Sequence, residues 1–208
     1  MRAKSIISWL LTLMLIGGGL SLIAFSFFGQ GSQTTSTNEA SPDGFNVPEV
    51  SEENGGQASQ DTGGPDDKTL EVSIPEMSRV EGDSVPDAPG DDTQALDENA
   101  AIHLQGTGFP WQDEANVYLA GHRLGYPGTD SFLALYDQDK LEEDDEIHVT
   151  DSEGTEYTYR VFESRVVSPT EVQVTRPVEG KNILTLQTCT LPNYSERLIT
   201  RAELVETA

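Results

Sequence analysis

Hydrophobic and polar positions change rhythm twice along this chain. Residues 6–28 are apolar apart from Ser and Thr and carry no charge; at about 1.5 Å per residue a helix over that stretch would span roughly 34 Å, enough to cross a bilayer. Residues 30–68 are rich in Gly, Ser, Thr, Asn, Gln, Pro, Asp and Glu, with Phe45 the only aromatic, too little apolar surface to offset the entropy of ordering. From Leu70 onward, short apolar or alternating runs are separated by turn residues, the pattern of an all-β sandwich or barrel. The runs predict strands over 70–74, 101–104, 116–120, 146–149, 157–162, 171–175, 183–188 and 198–205. Eight strands are enough to close a barrel.

Two further segments interrupt the strand pattern. Residues 131–136 read as a short helix with Phe132, Leu133 and Leu135 packing inward, and 83–99 as a long acidic loop. The organisation expected is a membrane anchor over 1–29, a flexible acidic linker over 30–69, and a β-barrel domain over 70–208. Arg2 and Lys4 precede the apolar stretch and an acidic segment follows it, so the positive-inside rule keeps the N-terminus cytoplasmic and the barrel outside. The stretch exceeds a usual signal-peptide core and no small-x-small cleavage site follows it, which favours an anchor over a cleaved signal.

Charge narrows the partners. Thirty-six acidic against 12 basic residues leave a net charge of −24, the opposite of the basic footprint that nucleic acid requires. The balance suits solubility in high salt or loose cation binding. The acidic stretch 137–156 could bind Ca²⁺ loosely, but it lacks the ligand spacing of a calcium loop, and a solvated, repulsive face is the preferred reading.

Cysteine arithmetic then points to chemistry. The single cysteine, Cys189, cannot form an intramolecular disulfide, and a lone cysteine is by default a small buried hydrophobe. Cys189, however, ends a run in which Leu184 and Leu186 alternate with Thr185 and Gln187, so it emerges at a strand end, where side chains are displayed to substrates. A reactive thiolate needs a cation or proton acceptor nearby. His122 follows an apolar strand and Gly121, and Arg197 opens the last apolar run; Arg197 could donate charge-assisted hydrogen bonds to a carbonyl that becomes an oxyanion. His148, between Ile147 and Val149, reads as part of a solvated strand face, and so does His103, between Ile102 and Leu104. Spacing alone leaves His122 and Arg197 open.

The segment Thr185-Leu186-Gln187-Thr188-Cys189 resembles the T-L-x-T-C signature of sortases, the membrane-anchored cysteine transpeptidases of Gram-positive surfaces. Arg197-Leu198-Ile199 looks like their arginine-bearing final strand. The segment from Asn116 to His122 is similar to the one leading to their histidine, and Ile74-Pro75 to the Ile-Pro of their first strand. The similarity runs from about Leu70 to Val205 and implies a closed eight-stranded β-barrel. The sequence after the cysteine looks closest to classes D and E, with class E ahead, although Pro192 stands third after the cysteine where family patterns often have it second. Leu124-Gly125-Tyr126-Pro127-Gly128 has no counterpart that can be mapped residue by residue.

What the resemblance implies is a transpeptidase with no metal, nucleotide or organic cofactor. Cys189 would attack the Thr–Gly carbonyl of a C-terminal sorting motif of the L-P-x-T-G kind, or L-A-x-T-G for class E. His122 would be the acid and base, and Arg197 would hold the substrate and its oxyanion. Thr188 would add a hydrogen bond to the intermediate. The implied partners are exported proteins bearing a sorting signal, and an amine acceptor on a peptidoglycan precursor or a lysine. Two alternatives stand beside it. An L,D-transpeptidase would carry His-Gly before the cysteine and Arg two residues after, where this chain has Gln187-Thr188 and Leu191. A membrane-tethered adhesive or stalk module would make the lone thiol incidental.

Overall fold

The computed structural model describes residues 63–208; the anchor expected over 1–29, and the expected linker as far as residue 62, lie outside the described residues. Residues 63–69, read as the end of the linker, lie against the barrel. The Lys68 ammonium sits 5.0 Å from the centroid of the Trp111 ring and donates to the Gly63 carbonyl at 2.8 Å.

One sheet makes the domain. Its strands are β1 (Leu70–Ser73), β2 (Asp83–Val85), β3 (Asp87–Ala88), β4 (Ile102–Leu104), β5 (Ala115–Ala120), β6 (Glu146–Thr150), β7 (Glu156–Val167), β8 (Asn182–Cys189) and β9 (Arg197–Thr207). They are ordered β2-β1-β6-β7-β9-β8-β5-β4-β3. The two outermost strands, β2 and β3, are consecutive in the chain with only Pro86 between them. The chain therefore crosses from one sheet edge to the other in a single residue, and this seam brings the nine strands into a nearly closed barrel. Seven of the eight expected strands are present, and the two extra ones lie in the segment read as an acidic loop.

Alternation divides the apolar residues between two clusters. Val117 and Leu119 of β5, Leu184 and Leu186 of β8, Ile147, Val149, Tyr159 and Ala202 fill the interior. Tyr118 and Ala120 of β5 point the other way and join Ile102, Leu104, Ile199 and Val167 in a second cluster on the outer face. That cluster is capped by Leu96 from α1 (Thr93–Glu98) and by Val174 from a 3-10 turn (Val172–Thr175). Each cap withdraws an aliphatic side chain from water, worth about 1.5–3 kcal/mol. With both faces covered, all of β8 is buried.

The remaining differences from expectation have the same origin. Residues 171–175 alternate like a strand, yet β7 and β8 already pair with other strands on both sides. The segment instead docks Val174 alone on the outer cluster and leaves Val172 exposed. Residues 131–136 form successive turns rather than a helix: Leu133 takes φ +57°, Leu135 is buried, and Phe132 is exposed. His103, expected on a solvated face, is fully buried. It lies opposite Leu119 on the inner face of β4 and stacks on Phe109 with ring centroids 4.3 Å apart. Its Nδ1 donates to Asp87 at 2.7 Å, and its Nε2 lies 2.9 Å from the Gly108 carbonyl. His148 is partly exposed as expected, between Glu146 and Glu156.

Candidate active site

Strand register assembles the site. β5 and β8 run parallel with Ala120 opposite Gln187, so the same register carried two residues further sets His122 opposite Cys189. β8 and β9 are antiparallel, with Cys189 opposite Arg197 as the last pair of the ladder. Cys189 and Arg197 thus face each other as a ladder pair, with His122 two residues beyond the end of the neighbouring β5, and adjacent strands lie about 4.8 Å apart. Directly opposed residues of a ladder project to the same face, here the outer face that carries Tyr118, Ala120 and Ile199. The fold pairs Cys189 with Arg197 and, through the Gly121–Gln187 bond, brings the residue before His122 against the strand that ends in Cys189.

The end of the parallel ladder is fixed by Gly121. Its N–H donates to the Gln187 carbonyl at 3.1 Å, and its own carbonyl accepts the Thr188 hydroxyl at 2.8 Å. A Cβ on Gly121 would lie 2.3 Å from the Ala100 carbonyl oxygen and 2.8 Å from Leu135, so only glycine lets the chain pass between them to reach His122. Thr188 belongs to the inner face, one residue out of phase with Cys189. Its hydroxyl, expected to serve the intermediate, donates to the backbone that carries His122. Gln187, in phase with the cysteine, accepts from the Tyr118 hydroxyl, whose ionisation burial pushes well above the usual phenol range.

Arg197 is 3% exposed. Its Nη1 donates to the carbonyls of Tyr194 and Glu196 at 3.1 and 3.2 Å. Tyr194 N–H in turn bonds Thr190, and Thr190 N–H bonds Glu196, so the loop between β8 and β9 and the guanidinium are one braced unit. Arg201, four residues on, reaches the Val174 carbonyl, and Asn116 Nδ2 donates to the carbonyls of Val174 and Arg176. These bonds hold the 3-10 turn over the strand faces next to the site. Burial lowers the Arg201 pKa from its ordinary value, and the neighbouring Arg165 charge adds to the shift.

His122 is also buried, and its Nε2 lies 2.9 Å from Asp97 Oδ1. Tyr126 meets the imidazole edge-on, with centroids 5.5 Å apart. Asp97 was not among the residues singled out from sequence; it lies in the stretch read as a loop, on a helix of six residues, too short for periodicity to register. The only local signal was Asp92, whose side chain caps α1 by accepting from Ala95 N–H at 3.0 Å, as an N-cap aspartate does. A cavity of about 440 Å³ adjoins the loop after the cysteine and is lined by Arg123, Tyr136, Thr190, Leu191 and Leu198.

The sortase domain family model matches residues 72–205, which takes in every strand from β1 through most of β9, with His122, Cys189 and Arg197. The chain belongs to the sortase family. Among curated sortases, Sortase A of Streptococcus agalactiae serotype III (strain NEM316) is 36% identical over 93 residues, 44% of this chain. The match covers 37% of that protein's length. Among solved sortase structures, Sortase A from Corynebacterium diphtheriae superposes with a TM-score of 0.57 at 26% identity, covering 67% of this chain and 61% of that one. Sortase C1 from Streptococcus agalactiae gives 0.54 at 31% identity, covering 65% and 66%. These likenesses do not separate class D from class E. Within this sortase domain, no group of three or more His, Cys, Asp or Glu converges to hold a metal ion among the described residues.

Proposed function

We propose that this sortase-family chain is a cysteine transpeptidase in which Cys189, His122 and Arg197 carry the reaction. The observation that supports the reading is the pairing of a nucleophile with a cationic donor across β8 and β9, with a candidate proton-transfer group two residues past the end of the adjoining β5. Cys189 attacks the Thr–Gly carbonyl of a sorting motif of the L-P-x-T-G or L-A-x-T-G kind. The sulfur–carbon bond forms as the amide breaks, and the imidazolium of His122 gives its proton to the departing glycine amine. Arg197 stabilises the oxyanion of the tetrahedral intermediate. An incoming amine from a peptidoglycan precursor or a lysine then attacks the thioester, with His122 taking up its proton, and a new amide leaves the thiol free.

Class E remains the preferred subclass, and we place the catalytic domain outside the cell on its N-terminal anchor. The reading is tested by incubating the protein with a panel of sorting peptides that differ at the second motif position, each with several amine acceptors, and weighing the products. Cys189→Ala is expected to abolish both cleavage and amide formation with the fold retained. Undiminished turnover by that variant would overturn the enzyme reading in favour of a tethered, non-enzymatic module.

A further inference from the structure

We infer that Asp97 is a positioning residue for His122, and that the segment after the histidine exists to hold it there. This rests on the proposed role of His122. A carboxylate only accepts hydrogen bonds, so the 2.9 Å contact assigns the proton of the neutral ring to Nε2 and its lone pair to Nδ1. The ring nitrogen that exchanges protons with thiol and amine is therefore Nδ1.

Asp97 is held from a second side. Its backbone carbonyl accepts from the Thr129 hydroxyl at 2.8 Å and the Ser131 hydroxyl at 2.7 Å, and Asp130 N–H donates to Glu98 at 3.1 Å. The loop that leaves His122 thus returns to grip the last turn of α1. Gly125 makes the return possible: its φ is +59°, and a Cβ there would lie 2.0 Å from the Ser131 carbonyl oxygen. Ser131 also accepts from Tyr126 N–H at 3.1 Å, which sets the tyrosine ring at the edge of the imidazole. The stretch from Leu124 to Ser131, whose first five residues had no counterpart mapped from sequence, closes a ring that runs from His122 through the loop to Asp97 and back to the imidazole.

The test joins kinetics with histidine ¹⁵N NMR on the full chain, whose only histidines are His103, His122 and His148. The His122 signals are assigned with His122→Gln. The wild-type neutral ring is expected in the Nε2–H form. Asp97→Ala is expected to mix the two ring tautomers and to lower kcat about 10-fold or more, the scale on which carboxylate partners of functional histidines act, with KM for the sorting peptide little changed. Asp97→Asn, whose amide oxygen still accepts from Nε2, is expected to fall between them. The double variant Thr129→Val, Ser131→Ala, which leaves the carboxylate in place, is expected to shift both readouts in the same direction by less. A wild-type ring in the Nδ1–H form, or wild-type kcat in Asp97→Ala, would overturn the inference. If Cys189→Ala proved as active as wild type, the proposed function would fail while the ring tautomer still decided the Asp97 contact.

Discussion

Gly121 and Thr188 show how little side chain the site needs to hold its geometry. The two are joined by one hydroxyl-to-carbonyl bond between the end of β8 and the residue before His122, and Gly121 passes where a methyl group would strike Ala100. Gly121→Ala is therefore expected to push the His122 backbone away from β8. Overpacking of this kind costs about 1–3 kcal/mol, and the loss in kcat should exceed the loss in stability, as read by comparing turnover with a denaturant midpoint. Arg197→Ala should lower kcat/KM by about 10²–10³, the usual loss for one oxyanion donor, as measured with a chromogenic sorting peptide; full activity would remove the oxyanion role. Cys189, His122 and Arg197 became candidates in sequence through the segments that resemble sortases, since strand alternation alone left His122 and Arg197 open. Asp97 did not, because its partner lies 25 residues further along the chain and only the folded loop brings the two into contact.

Among the elements, strands with partners on both sides announced themselves, and short elements that cap a face did not. The 3-10 turn at Val172–Thr175 and α1 each bury one aliphatic side chain, which is too few positions to establish a period. The sequence of 171–175 favours a strand locally, and the filled sheet overrides it. At the barrel's seam, β3 has only two residues, and the buried imidazole of His103 supplies a side-chain bond to it through Asp87. Asp87→Ala would leave that imidazole with a lost partner inside the barrel, at a cost of about 1–3 kcal/mol. Denaturant unfolding should show the drop, and an unchanged midpoint would mean the seam does not depend on the pair. Gln138 does a comparable task at the other side, its Nε2 donating to the Leu186 carbonyl, the Leu198 carbonyl and the Thr200 hydroxyl at 3.0–3.3 Å.

At the scale of the whole molecule, the fold class followed from strand counting and the family from a few motif residues, whereas the ninth strand and the seam did not. They depend on a turn at Pro86 that resembles any acidic loop until its neighbours are known. The net charge of −24 makes self-repulsion a whole-chain property, and salt shortens its range from about 30 Å at 0.01 M to about 3 Å at 1 M. The melting temperature of the purified protein is expected to rise with NaCl over that interval; a flat or falling curve would show that the acidic surface carries no net strain. The alternation of β8 has a consequence of another kind. Thr188 and Cys189 are an even and an odd position on one ribbon, one turned to the barrel's interior and the other to its outer face. A slip of β8 by a single residue would exchange them, hiding the sulfur in the core and presenting a hydroxyl between His122 and Arg197. The difference between a thiol on the outer face and a thiol in the core is thus a count of one, and the bond from Thr188 to Gly121 keeps the count.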